Sequence, residues 1–126
     1  MLRRIYAGWL TLVTALIVLQ LYLAGYGVFA FNGLKGFDAH LLVGDVIGIA
    51  VLIGLGLAFA ARVPRQMLMF SGALVVLMIL QFVLAHTGVQ VISALHIING
   101  VVIMGLSGFM TRQAWMLARG HETAQA

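Results

Sequence analysis

Apolar residues run in four long blocks along this chain, and polar residues gather at the breaks between them. The first block extends from about Ile5 to Phe31, the second from Asp38 to Ala61, the third from Met67 to Ala85 and the fourth from Ile92 to Ala118. Each holds roughly the 20 apolar residues that a helix needs to cross a bilayer. Helices are expected because no other single segment satisfies its own backbone in hydrocarbon. The first break, Asn32-Gly33-Leu34-Lys35-Gly36, has turn composition, and the second, Arg62-Val63-Pro64-Arg65-Gln66, holds the only proline. Asp38 is placed to cap the second helix. The third connection, near His86 to Val91, is short, and the tail from Arg119 to Ala126 is polar and expected to fray. Short connections make successive helices antiparallel neighbours. The expected fold is an all-α, integral membrane, up-down four-helix bundle, one domain over residues 1–118.

A second pattern lies on top of the first. Leu19-Gln20-Leu21-Tyr22-Leu23-Ala24-Gly25-Tyr26-Gly27-Val28 returns 61 residues later as Leu80-Gln81-Phe82-Val83-Leu84-Ala85-His86-Thr87-Gly88-Val89, identical at six of ten positions. After each copy comes a histidine with a glycine four residues on: His40 with Gly44, and His96 with Gly100. The chain therefore reads as two helix hairpins repeated in parallel about an axis along the membrane normal. That symmetry sets His40 and His96 at similar depth, near the starts of the second and fourth helices, and can aim them at each other.

Composition agrees with a membrane protein. Apolar residues make up 63% of the chain and charged residues 8%, a ratio foreign to small water-soluble domains. The N-terminal apolar run is too long for a signal-peptide h-region and reads as the first span. No cysteine is present, and the only acids are Asp38, Asp45 and Glu122, so thiolate and carboxylate-rich metal sites are not expected. Arg3, Arg4, Arg62, Arg65, Arg112 and Arg119 fall at one end of the expected bundle and Lys35 at the other. The positive-inside rule then puts both termini of this multi-pass protein in the cytoplasm, and a bacterial inner membrane is the expected host. The net charge of +4 is spread over segment ends, with no basic patch for nucleic acid.

Two imidazoles on separate helices suit the two axial positions of one haem b. Gly44 and Gly100 lie one turn beyond each histidine on the same face, where a missing side chain lets a flat macrocycle approach. Gly25, Gly27 and Gly88 are placed to clear space in the same way. Asn32, Lys35, Thr87 and Gln90 are candidates to meet the propionates. The second imidazole nitrogens need an acceptor, supplied by Gln20, Gln81 or backbone carbonyls. The competing account makes the glycines packing residues, as in Gly44-xxx-Gly48, and the histidines interfacial. A second His pair is lacking, and Met67, Met69, Met78, Met104, Met110 and Met116 read as filler or lipid-facing, so one haem per chain is expected.

Asp45 falls about 10 Å into its span by helix rise, where an ionisable group is costly and worth a functional hypothesis. Its readings are a packing partner for a neighbouring glutamine or tyrosine, a proton carrier, or a contact to quinone or a second subunit. Asn99, three residues after His96, has a similar polar character. His86 reads as a wet loop-end histidine or as a group beside the haem edge.

The Gln-x-x-Leu-Ala segment before a loop, followed by His-x-x-x-Gly on the next helix, resembles one four-helix half of haem A synthase. That resemblance implies pairing of His40 and His96 around a haem near the outer face. It covers roughly Leu19 to Gly105. Leu41 stands where that family often has arginine, and the outer loops are too short for its further functional residues, so hydroxylase chemistry is not implied. The layout also resembles a short uncharacterised family of bacterial four-helix membrane proteins. The functional expectation is a b-type cytochrome transferring electrons, with a quinone or an outer-face protein as partner. The alternative is a non-haem small membrane subunit, or half of a dimeric transporter. A homodimer would rebuild an eight-helix arrangement.

Overall fold

Four helices account for almost all of the chain: α1 Leu2–Phe29, α2 Asp38–Ala60, α3 Arg65–Ala85 and α4 Gln90–Thr123. They come from a computed structural model, which describes residues 1–30 and 37–123. The expected turn at 32–36, with Asn32 and Lys35, lies outside the described residues, as do Phe31 and 124–126. All four helices are long and apolar enough to cross a membrane.

Each helix packs on two neighbours in the ring order α1–α2–α3–α4–α1, so α2 faces α4 across one diagonal and α1 faces α3 across the other. Successive helices run antiparallel. Gln20, late in α1, meets His40, early in α2, while Trp9, early in α1, meets Ala50 further along α2. A narrow core runs down the middle, built from Tyr6, Leu10, Val13, Ile47, Val51, Leu74, Ile103 and Met110. Large apolar side chains such as Val18, Tyr22, Leu42, Ile49, Val76 and Ile97 face outward. In water so much exposed apolar surface is a liability, and in a bilayer it is the solvent-facing side.

Because lipid gives helices little hydrophobic reason to associate, interhelical hydrogen bonds and close packing carry specificity. Four of these lie toward the end of the bundle rich in arginine. Tyr6 Oη and Ser71 Oγ pair at 2.9 Å across the α1–α3 diagonal, and Ser71 also donates to the Met67 carbonyl. Trp9 Nε1 donates to the Ala50 carbonyl at 2.8 Å. Thr14 and Thr111 hydroxyls pair at 2.9 Å, and Trp115 Nε1 donates to Thr11 Oγ1 at 3.0 Å, so both tie α1 to α4.

Several boundaries differ from those expected. Helix α1 runs Leu2–Phe29 rather than 5–31, because Ala30 turns extended (φ −72°, ψ 122°). Asp38 is not a cap: Phe37 precedes the first turn, and Asp38 lies inside it, where its carboxyl favours the positive end of the helix dipole. Helix α2 closes in a Schellman turn, with the Val63 N–H on the Ala58 carbonyl at 3.3 Å and Arg62 in the left-handed region (φ 48°). Pro64 then starts α3. The tail does not fray at Arg119. Helix α4 continues to Thr123, with the Arg119 guanidinium 6.0 Å over the Trp115 ring one turn back.

Candidate functional site

The two repeated histidines meet across the α2–α4 diagonal. Their ring centroids lie 6.2 Å apart with the planes at 63°, so the rings are not stacked. Both are half-buried. The antiparallel register explains the meeting, since α2 and α4 both begin at this end and His40 and His96 sit in their first two turns.

Each imidazole is anchored the same way. His40 Nδ1 donates to the Gln20 carbonyl and His96 Nδ1 to the Gln81 carbonyl, both at 3.1 Å. The acceptors belong to α1 and α3, the helix that precedes each histidine. A carbonyl only accepts, so both rings carry their proton on Nδ1 and leave the Nε2 lone pair for other use. Of the acceptors open at the sequence level, the backbone carbonyls of Gln20 and Gln81 fill the role.

The glutamine side chains do something else. Gln20 Nε2 donates to the His40 carbonyl at 2.8 Å. Gln81 Nε2 lies 3.2 Å from His96 Nε2. Asn99 sets that orientation, with its Nδ2 donating to Gln81 Oε1 at 2.6 Å and to the Leu77 carbonyl at 2.9 Å. With Gln81 Oε1 occupied, its amide nitrogen is the donor and His96 Nε2 the acceptor. The first hairpin lacks this relay. Val43 stands three residues after His40, where Asn99 follows His96, and Gln20 Oε1 is buried without a hydrogen-bond partner. The two histidines are therefore equivalent in position and unequal in environment. Sequence reasoning gave Asn99 only a general polar role. Its spacing from His96 together with the glutamine of the same repeat was the signal available.

The glycines also have roles other than those expected. A β-carbon at Gly44 would lie 3.1 Å from Gln20 Nε2, and one at Gly100 would lie 3.3 Å from Gln81 Nε2. Here both glycines admit the glutamine amides. Gly27 is buried and admits the Phe37 ring, which a β-carbon would meet at 2.7 Å. Phe37 in turn packs edgewise on His40, centroids 6.2 Å apart and planes at 88°. Gly88 is exposed in the α3–α4 connection with φ +70°, so its backbone, not clearance, calls for glycine. Nothing stands within 4 Å of a β-carbon at Gly25.

The other candidates lie outside this cluster. His86 is exposed and donates from Nδ1 to the Phe82 carbonyl at 2.8 Å, closing α3 as a wet helix-end residue. Thr87 bonds to Ser93 and to the Leu84 carbonyl. Asp45 is exposed on the outer side of α2 and meets neither a glutamine nor a tyrosine. Met67, Met78 and Met110 are buried filler, while Met69 and Met116 face outward. Among the described residues, no three of His, Cys, Asp and Glu come together, so the chemistry on offer is that of two imidazoles.

No curated protein and no solved structure matches the chain, so the likeness to haem A synthase rests on short motifs. A family model does match, over residues 20–88, from the glutamine of the first repeat through His40 to the end of the second. The chain belongs to that family, described as a family of unknown function (DUF6220).

Proposed function

We propose that this protein is a membrane b-type cytochrome that holds one haem between His40 and His96 and passes electrons. One observation carries the reading: two Nδ1-anchored imidazoles face each other with centroids 6.2 Å apart. Rings at this separation would be close enough to hold one metal between them through their Nε2 atoms, once both lone pairs turn toward it. The donor set fits as well. Carbonyl acceptors on Nδ1 fix the tautomer and raise the basicity of Nε2, the usual support for a ligating histidine. When bound, such a haem would supply one-electron chemistry, with His40 and His96 the residues that would hold it.

The chain's own residues orient and admit. Phe37, seated on Gly27, holds the His40 ring edgewise. His96 would reach a metal only after its Nε2 leaves the Gln81 amide 3.2 Å away. The arginine distribution supports a cytoplasmic location for both termini and a bacterial inner membrane as the host, with the histidines near the outer face.

The same Gln81 contact favours a second reading, a non-haem membrane subunit or dimeric transporter in which the Asn99–Gln81–His96 chain is a packing network. A reduced-minus-oxidised visible spectrum of protein purified in detergent from haem-replete cells separates them. The cytochrome reading expects a sharp low-spin b-type alpha band near one haem per chain, lost in both His40→Ala and His96→Ala. A colourless protein overturns it.

A further inference from the structure

Asp45 makes no hydrogen bond among the described residues, although it sits on a membrane-crossing helix, exposed, about 10 Å past the start of α2 by helix rise. It lines a cavity of about 420 Å3 that opens between α2 and α3. The remaining walls are apolar and include Gly48, Ile49, Val75, Ile79 and Phe82. Gly48 lets the Phe82 ring seat against α2, since a β-carbon there would meet that ring at 2.9 Å. The repeat does not reproduce it. The spacing that carries His40 to His96 carries Asp45 to Val101 and Gly48 to Met104, so the other hairpin interface has neither the carboxyl nor a glycine at that point.

We propose that this groove binds a lipid-soluble quinone, with Asp45 hydrogen-bonded to a ring oxygen. Three features select that chemistry. The volume falls in the range of small-molecule pockets, which are mostly apolar with a few placed polar groups. The Phe82 ring in the groove wall suits a flat ring packed beside it, and the open side toward lipid suits an apolar tail. The Asp45 carboxyl is the polar group on an otherwise apolar lining and can hydrogen-bond to an oxygen-bearing headgroup. A lipid acyl chain would leave Asp45 unpaired. A second copy's helix would meet the bulky exposed Ile49, Leu52 and Ile79 rather than a strip of small residues. The proposal gives the cytochrome reading a membrane partner and rests on that reading only for electron delivery. Binding itself needs no haem.

The test is photolabelling of the full chain in nanodiscs with an azido-substituted short-tailed ubiquinone, competed by decylubiquinone and mapped by peptide mass spectrometry. Saturable, competed label on 45–52 and 75–82 is expected. Asp45→Asn, which keeps a hydrogen-bonding side chain there, should stay within about threefold of the parent, while Asp45→Leu should weaken labelling about tenfold. Ile79→Trp, at an exposed wall, should reduce it without touching Asp45. Label spread evenly over all four helices, label displaced equally by phospholipid, or label unchanged in Asp45→Leu overturns the proposal. So does a crosslinked dimer through this face with no competed label. A colourless protein that binds the probe here would refute the haem and keep the quinone site, and a coloured one that does not would do the reverse.

Discussion

Replacing Asn99 by valine, the residue at the equivalent point of the first hairpin, isolates the asymmetry between the two histidines. Asn99 is buried and donates to both the Leu77 carbonyl and Gln81 Oε1. The Leu77 carbonyl keeps its helical partner, the N–H four residues on, so that loss is minor. Gln81 Oε1 has no such reserve and would become a buried unpaired acceptor, like Gln20 Oε1. An interhelical hydrogen bond in a membrane protein averages about 0.6 kcal/mol, and an orphaned buried group costs about 1–3 kcal/mol. Asparagine and valine have similar volumes, so no cavity term enters. Asn99→Val should therefore destabilise the haem-free protein by about 2 kcal/mol, roughly a 30-fold change in the unfolding equilibrium. The reciprocal Val43→Asn should stabilise it by about 1 kcal/mol by giving Gln20 Oε1 its donor. Reversible unfolding in mixed micelles with increasing SDS measures both. Equal stability of Asn99→Val and the parent would refute the idea that the relay, rather than generic packing, holds the Gln81 amide.

Two further outcomes follow from contacts elsewhere. Gly27→Ala should push the Phe37 ring off its seat, cost about 1–3 kcal/mol as an overpacked site, and loosen His40 while leaving His96 in place; histidine side-chain NMR reads the two rings separately. A double-mutant cycle on Tyr6→Phe and Ser71→Ala should give a coupling of about 0.6–1.7 kcal/mol, because the two hydroxyls are buried partners across the α1–α3 diagonal.

The four spans could be read from block length alone, and the meeting of His40 with His96 from the repeat. Both rest on periodicity, which antiparallel packing of short-looped helices turns directly into geometry. The use of each glycine was harder to read. Gly27, Gly44, Gly88 and Gly100 look alike in sequence, yet one seats a phenylalanine, two admit amides and one serves a left-handed turn. A glycine marks an absence, and what fills it depends on a partner helix that local pattern does not name. The same limit hid the division of labour at Gln20 and Gln81, whose main-chain and side-chain atoms act on different targets. The helical end of α4 was missed because polarity after Ala118 was read as fraying, whereas Arg119 lies back over Trp115.

The carbonyls that anchor the imidazoles are main-chain atoms inside regular helices. Any residue at position 20 or 81 that leaves its helix straight presents the same oxygen. The orientation of both rings is thus shielded from most side-chain substitution at those positions and is vulnerable chiefly to a kink, such as a proline within the next turn. The Gln20 side chain is free to diverge without disturbing the tautomer beside it, whereas the Gln81 amide also reaches the His96 ring. Two copies of one hairpin can in this way keep a common ring geometry while their surroundings specialise, one with a satisfied amide and one with an amide oxygen still lacking a donor.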